Sequence, residues 1–271
     1  MPDPYLNPDA LPESTLTAMS TRLEERGQHA GFLKMMDRYL STLPTDRPLR
    51  VLDLGTGTGV VLRRLAEKLH PDSELHGADI SNNLLDEARR LSPEQHIHWD
   101  HLQPGTLPYD DASFDVILMH TLLGHVPEPA ELLRDVRRIC SEQGQLIIFD
   151  ADHAGTTYSL PDYQESRRID ALLVSAIATQ PDICRQLPRL LQASGFELQS
   201  HDAELLSECG KGNYWLSSVR GFAKLIPALG ILPPEEGERW EQQMLTSHEE
   251  GSFFASGAFY TFYARPRRGE V

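Results

Sequence analysis

The sequence predicts an α/β protein built on a mainly parallel sheet with helices on both faces. Three observations carry that expectation. Strand-like runs over residues 50–54, 74–79, 96–99, 114–119 and 144–150 alternate with stretches of helical periodicity over 59–69, 82–91 and 129–141. Such alternation supplies crossover helices to cover a parallel sheet. The first run ends in a glycine-rich turn, Gly55-Thr56-Gly57-Thr58-Gly59, which opens at once into a helix with Val61, Leu62, Leu65 and Ala66 on one face. The first two runs also carry carboxylates at their ends, Asp53 and Asp79.

The remaining elements follow in order. Residues 1–20, rich in proline and polar side chains, read as an extended arm. Thr21 to Thr42 reads as one helix, with Leu23, Phe32, Met35, Met36, Tyr39 and Leu40 as its apolar positions. Gly27 and Gly31 weaken its first half, and Pro44 to Pro48 closes it before the first strand. After Asp150 the rhythm changes. Residues 161–179 and 183–194 look helical, and 195–198 begins a sixth strand. A helical insertion covers 214–249, interrupted by Pro227, Pro233 and Pro234. The segment 257–264 alternates aromatic and small residues and reads as a last strand. No repeat or low-complexity segment divides the chain. The expected organisation is an arm and cap helix over 1–48, a core over 49–207, a helical insertion over 208–250 forming part of a substrate cap, and a final strand and tail over 251–271.

Composition bounds the function classes. A chain of 271 residues buries a full core as one domain with additions. A formal net charge of −15 argues against a nucleic-acid or anionic-membrane surface, because both need clustered cations. The basic cluster at 265–268 is a short tail. Cys140, Cys184 and Cys209 are far apart and lack metal-site spacing, which points to a reducing compartment. Neither a signal peptide nor a run of membrane-spanning length stands out. The expectation is a soluble, cytoplasmic protein.

The glycine turn indicates the ligand through charge. A dinucleotide brings a pyrophosphate, which favours helix N–H groups and no adjacent carboxylate. Here Asp53 stands where that anion would go, and the glycines run G-x-G-x-G rather than G-x-G-x-x-G. A carboxylate suits a ligand with an ammonium group, such as the methionine end of S-adenosylmethionine. The segment Arg50 to Gly59 resembles the first motif of class I S-adenosylmethionine-dependent methyltransferases. Residues 114–127 resemble that family's fourth motif, and 139–150 its helix-turn-strand motif, with Glu142-Gln143-Gly144 where Arg/Lys-Pro-Gly is usual. The resemblance covers 51–152 firmly and reaches more loosely to the cap helix and to 251–254. It is nearest the ubiquinone/menaquinone-type branch acting on small molecules. It implies a Rossmann-like seven-stranded sheet whose last strand inserts antiparallel beside the sixth. It also implies that Asp53, Gly55, Thr56, Gly57 and Gly59 hold the methionine end, that Asp79 accepts from the ribose hydroxyls, and that Ile80 lies against adenine. One departure stands out: before Leu107-Pro108-Tyr109 the usual acidic position holds Gln103, followed by Pro104, which has no N–H to offer. Gln103 itself, the Leu102 amide or Asp100 are the candidates to replace the lost contact.

His120 at the end of the fourth strand and His125 five residues on are the candidate catalytic groups, with His120 also against the cofactor. A neutral imidazole there can take a proton from an acceptor hydroxyl or amine. The competing reading makes His125 a helix-start or packing residue. Asp152 and His153 could orient a substrate, or form a capped, solvated loop. His96, His98 and His101 lack a fourth ligand at recognisable spacing, so no metal is expected. Aromatics in the arm, first helix and insertion either pack the core or line an apolar pocket. The function expected is methyl transfer from S-adenosylmethionine to an O, N or C nucleophile of a small organic molecule, of the kind found in secondary metabolism. The alternatives are a non-methylating reaction on the same fold (cyclisation or elimination) and a non-catalytic nucleotide-binding module; a homodimer stays open.

Overall fold

A computed structural model describes residues 3–103 and 105–267. Pro104 and the end of the basic tail, Arg268, lie outside the described residues. The helices are α1 (Glu13–Gln28), α2 (Ala30–Leu40), α3 (Val60–Ala66), α4 (Asn82–Leu91), α5 (Pro129–Ile139), α6 (Tyr163–Ile177), α7 (Ile183–Ala193), α8 (Tyr214–Ala228) and α9 (Pro234–Glu250). The strands are β1 (Arg50–Leu54), β2 (Glu74–Asp79), β3 (Ile97–His101), β4 (Phe114–His120), β5 (Cys140–Tyr158), β6 (Phe196–Gly210) and β7 (Phe253–Pro266).

The seven strands form one sheet in the order β3-β2-β1-β4-β5-β7-β6. The first five pair in parallel, and β7 lies antiparallel between β5 and β6. This is the expected α/β architecture, with the last strand inserted as the resemblance implied. Alternate residues of each central strand feed two separate cores. Val51, Val116 and Leu118 join Phe32, Met36, Leu62 and Val219 on one face. Leu52, Leu54, Ile117 and Met119 join Leu133, Val136 and Leu187 on the other. Two buried faces explain why these strands read as nearly continuous apolar runs. On α5, Leu133, Val136 and Ile139 are spaced to put one stripe on the sheet. Truncating Leu133 to alanine would cost about 2–5 kcal/mol.

Three expectations change. The single helix over 21–42 is two helices, and the second half of the extended arm is helical. The chain breaks at His29, which adopts extended angles and accepts from Gly31 N–H through Nδ1 at 3.2 Å. Helix α1 begins directly after Pro12, and of its side chains only Met19 is buried, so it lacks the apolar stripe that marks a helix in sequence. The fifth strand, expected over 144–150, is longer than expected, and so are the last two. They pair with each other from Phe196↔Pro266 to Gly210↔Phe253. No residue of β6 beyond Phe196 is fully buried, so its outer part carries no hydrophobic pattern.

The strand order reverses beside β1: successive crossovers run through β2 to β3 on one side and through β4 to β5 on the other. A crevice opens at the carboxyl ends of β1 and β4, the place where open α/β sheets bind ligands.

Candidate active site

A cavity of about 1210 Å³ fills that crevice, floored by the ends of β1, β2 and β4 and roofed by the N-terminal arm, α1 and α8. Of the site residues expected from sequence, Asp53, Gly55, Thr56, Gly57, Asp79, Ile80, Leu102, Gln103, His120 and His125 line it, and Gly59, Asp100 and Asp152 do not.

The floor is built from the glycine turn. The N–H groups of Gly55 and Thr56 both donate to Ala78 O, at 2.8 and 3.0 Å, tying the turn to the end of β2. Gly55, Gly57 and Gly59 all have positive φ. At Gly59, off the cavity wall, a side chain would enter the Trp99 indole, so that glycine serves packing rather than ligand approach. Asp53 is 1% exposed. Its Oδ2 accepts from Thr56 Oγ1 at 2.7 Å, while its buried Oδ1 has no partner. Burial pushes its carboxyl up to about 7, against the Thr56 hydrogen bond and with help from the charge of Asp79. An orphaned, desolvated carboxylate oxygen beside a cavity is matched by a cationic hydrogen-bond donor.

Asp79 ends β2 as expected. Its two oxygens accept from Gly57 N–H at 2.8 Å and Ser81 N–H at 3.0 Å, which leaves further lone pairs for ligand hydroxyls. Burial raises its pKa against the pull of those backbone N–H groups. Beside it Ile80 is 47% exposed, an apolar platform on the cavity wall. The Leu102 amide donates to Asp79 O at 2.8 Å, so it is already committed and does not replace the contact missing at Pro104. Gln103 lies on the wall with its Nε2 3.0 Å from His101 Nδ1. Asp100 points elsewhere, toward His76 and the Tyr109 hydroxyl.

His120 ends β4. Its Nδ1 lies 2.8 Å from the Tyr39 hydroxyl and its ring stacks on Phe149 with centroids 4.6 Å apart. Burial, with the nearby Arg26 guanidinium, holds its pKa well below the ordinary value, so the ring is neutral. Thr121 follows with φ of +54°, a left-handed conformation that costs an L-residue about 1–2 kcal/mol. It is held there by its N–H on Phe149 O and by Arg26 Nη2 on its Oγ1, both at 2.6 Å. His125 sits in a short 3₁₀ turn, Leu123–His125, rather than at a helix start. Its Nδ1 lies 2.9 Å from Asp3 Oδ2, and the Tyr5 ring is tilted 4.5 Å from its own. Asp3 is 6% exposed. Burial works to raise its pKa, yet the contacts from His125, Tyr5 N–H and Thr179 hold it below the ordinary carboxylate value. An ionised carboxylate only accepts, so His125 Nδ1 carries a proton, and in the neutral ring this leaves the lone pair on Nε2.

Of Asp152 and His153, which the structure places within β5 rather than after it, only His153 reaches the cavity, with its pKa pushed down to about 3, chiefly by burial. Asp152 instead pairs with Arg185, whose Nη2 donates at 2.8 Å. Among the described residues no group of three or more His, Cys, Asp or Glu side chains is placed to hold a metal ion, and His98 stacks on His76. Sequence reasoning missed Asp3, Thr121, Arg22 and Arg26. The arginines stand one turn apart on α1, a spacing that places both on one helix face.

Comparisons with known proteins agree with this arrangement. Residues 52–148 match the family model described as a methyltransferase domain. The chain is 28% identical over 219 residues to an uncharacterised 37.1 kDa protein in a transposon of Streptomyces fradiae, which spans 79% of this chain and 61% of that protein. It is 26% identical over 163 residues to the ubiquinone/menaquinone biosynthesis C-methyltransferase of Desulfotalea psychrophila, spanning 60% of this chain and 64% of that protein. The matches thus take in less than two thirds of either relative. The fold superposes with a TM-score of 0.51 on a crystal structure of an S-adenosylmethionine-dependent methyltransferase from Mesorhizobium loti, at 20% identity, covering 85% of this chain and 97% of that one. Motifs, sheet order and relatives converge on one likeness: residues 52–148 match a methyltransferase domain, set in a sheet whose strand order is that of the class I S-adenosylmethionine-dependent methyltransferases this chain resembles.

Proposed function

We propose that the protein is an enzyme that transfers the methyl group of S-adenosylmethionine to an oxygen, nitrogen or carbon nucleophile of a small organic molecule. The observation that carries this reading is the unpartnered, buried Oδ1 of Asp53 at the floor of the cavity. The donor's ammonium group satisfies that oxygen, and Arg26, beside Thr121 at the end of β4, takes the adjoining carboxylate. Asp79 accepts from the ribose hydroxyls, and Ile80, Leu102 and Gln103 flank the adenine. Gly55, Thr56 and Gly57 let the backbone pass close beneath, and Gly59 turns the chain into α3.

When bound, the donor supplies an electrophilic methyl on a sulfonium. The protein's part is alignment and proton management. The arm, α1 and α8 roof the cavity and exclude water, which favours an in-line displacement between pre-aligned partners. His125, oriented by Asp3 with Nε2 bare, accepts the proton released by an acceptor hydroxyl or amine. His120, neutral and fixed by Tyr39, borders both donor and acceptor. The helices over 208–250 form part of the acceptor's cap.

The charge of −15 supports a small-molecule acceptor over a polynucleotide. No helix among the described residues is long and apolar enough to cross a membrane. The free cysteines Cys140, Cys184 and Cys209 suit a reducing cytoplasm.

Calorimetric titration with S-adenosylmethionine, its demethylated product and NAD tests the donor. Micromolar binding of the first two without the third is the expected result; failure of both sulfur ligands would overturn the reading. Incubating the loaded enzyme with candidate acceptors, followed by mass spectrometry for a product heavier by one methylene, then identifies the acceptor.

A further inference from the structure

The acidic protein pairs most of its arginines with carboxylates. Among the described residues, those without such a partner are Arg22, Arg26, Arg47, Arg189, Arg220, Arg265 and Arg267. The last five are exposed to water. Arg22 and Arg26 are half-buried, and both face the cavity.

Arg22 is held by α8. Its Nη1 donates to Ser217 Oγ at 3.2 Å and its Nη2 to Ser218 Oγ, both on α8. Its guanidinium stands 4.3 Å over the Tyr214 ring. Neutral hydroxyls and an aromatic face orient the charge without neutralising it, and a guanidinium has five N–H donors to offer. Phe32 and Trp215 pack against that same Tyr214 ring, and Ile177, Phe222 and Phe259 also line the cavity. Arg26, one turn further along α1, is bonded instead to Thr121 at the end of β4. The two cations are therefore held by different elements, Arg22 by α8 and Arg26 by the end of β4.

We propose that the methyl acceptor is an apolar carboxylic acid whose carboxylate is seated on Arg22. This rests on the methyl-transfer reading of the same cavity. A planar, always-charged fork matches a carboxylate, and an organic anion approaching a protein of charge −15 needs a local cation to offset the general repulsion. A carboxylate fixed by two charge-assisted hydrogen bonds is a poor nucleophile, so the atom that takes the methyl lies elsewhere on the molecule. The apolar wall takes up the rest of the body.

The test uses the full chain saturated with S-adenosylhomocysteine and two pairs of probes, 2-naphthoate with 2-naphthamide and octanoate with octanamide, titrated by calorimetry. Within at least one pair the acid should bind about tenfold or more tighter than its neutral amide. That preference should vanish in Arg22→Met and return in part in Arg22→Lys, with S-adenosylhomocysteine affinity unchanged in both. The pair that shows the preference tells an aryl acid from an alkyl one. Equal binding of acid and amide in both pairs, no binding of any probe, or a preference that survives Arg22→Met overturns the proposal. Failure of S-adenosylhomocysteine to bind the unmodified protein would instead remove the methyl-transfer reading on which it rests.

Discussion

Asp3 Oδ2 and His125 Nδ1 lie 2.9 Å apart although 122 residues separate them in the chain. The arm thereby reaches the far side of the cavity. The same Asp3 oxygen also accepts from Thr179 N–H and Oγ1, at 3.1 and 3.0 Å. Further along, Asp9 accepts from Ser81 Oγ and from Asn82 N–H at the start of α4. The arm is thus a strap pinned at both ends of the site. Because Asp3 stays ionised through the neutral range, it selects the His125 tautomer that leaves Nε2 free.

Replacing Asp3 by Asn keeps the shape but removes the charge that fixes the tautomer. Turnover of an acceptor that must lose a proton should fall by about tenfold or more, with S-adenosylhomocysteine affinity preserved. Nitrogen NMR of the His125 ring should show the proton on Nδ1 in the parent and a mixture of tautomers in Asp3→Asn. An unchanged spectrum and unchanged turnover would reduce His125 to a packing residue.

Asp53 gives a pH dependence whose sign can be worked out. Its folded-state carboxyl titrates near 7, against an ordinary value of 3.8. The free protein therefore binds a proton that the complex with an ammonium ligand must release. Affinity for S-adenosylhomocysteine should rise as pH is raised from 5.5 to about 7.5 and then level off, with about half a proton released per binding event at pH 7. For the unliganded fold the sign is opposite: its stability falls as pH rises from 3.8 through 7, because the folded state must give up a proton that the unfolded state has already lost. Asp53→Asn should abolish the proton release and weaken binding by about 30-fold or more. Calorimetry in buffers of different ionisation enthalpy measures both.

The sheet and the glycine turn were legible because their residues sit in local, periodic patterns that burial on two faces enforces. Val51, Leu52 and Leu54 could hardly be anything but a strand. Asp53 and Asp79 were read from their places at strand ends beside the glycine turn together with the family resemblance, and both line the cavity. The arm was not. Asp3 and Asp9 act through contacts made across the whole chain, and no local spacing encodes them. Helix α1 was missed over its first half because its outward face is polar, and β6 because one of its faces is exposed and the other, only half-buried, carries Asp202 and Glu204 among its residues. Arg22 and Arg26 could have been flagged as two cations one turn apart, yet only the fold shows that this face meets a cavity. Thr121 has no sequence signal, since nothing about a threonine announces a positive φ.

Two glycines of one turn should respond differently to the same substitution. Both have positive φ, so an alanine at either position carries about 1–2 kcal/mol of backbone strain. At Gly57 the nearest neighbour of an added Cβ is the flexible end of Leu23, at 3.2 Å. At Gly59 the Cβ would enter the Trp99 ring, which also packs against Gly77. Gly59→Ala should therefore cost about 2–4 kcal/mol of stability, seen as a lower urea midpoint. Gly57→Ala should cost less than that in stability and relatively more in S-adenosylhomocysteine affinity, because Gly57 faces the cavity and Gly59 does not. Equal stability losses with equal affinities would contradict the division of roles within the turn.

Glu24 joins the cap to the glycine turn. Its Oε1 accepts from Thr58 Oγ1 at 2.6 Å, and both of its oxygens accept from Arg63 Nη2, at 2.6 and 2.7 Å. The pair with Arg63 is partly shielded, each side chain 22% exposed, which places its worth between that of a surface ion pair and a buried one, about 1–2 kcal/mol. Glu24→Gln removes the charge while keeping one acceptor for Thr58. The melting temperature should fall by about 2–8 °C for a chain of this size. The larger consequence is local. With α1 less firmly tied to α3, protease cleavage within residues 13–28 should speed up, and saturating S-adenosylhomocysteine should slow it again, because in the proposed complex the ligand engages Arg26 on the same helix. If cleavage is no faster in Glu24→Gln, or if the ligand gives no protection to the parent, the cap is not coupled to the donor site through this residue.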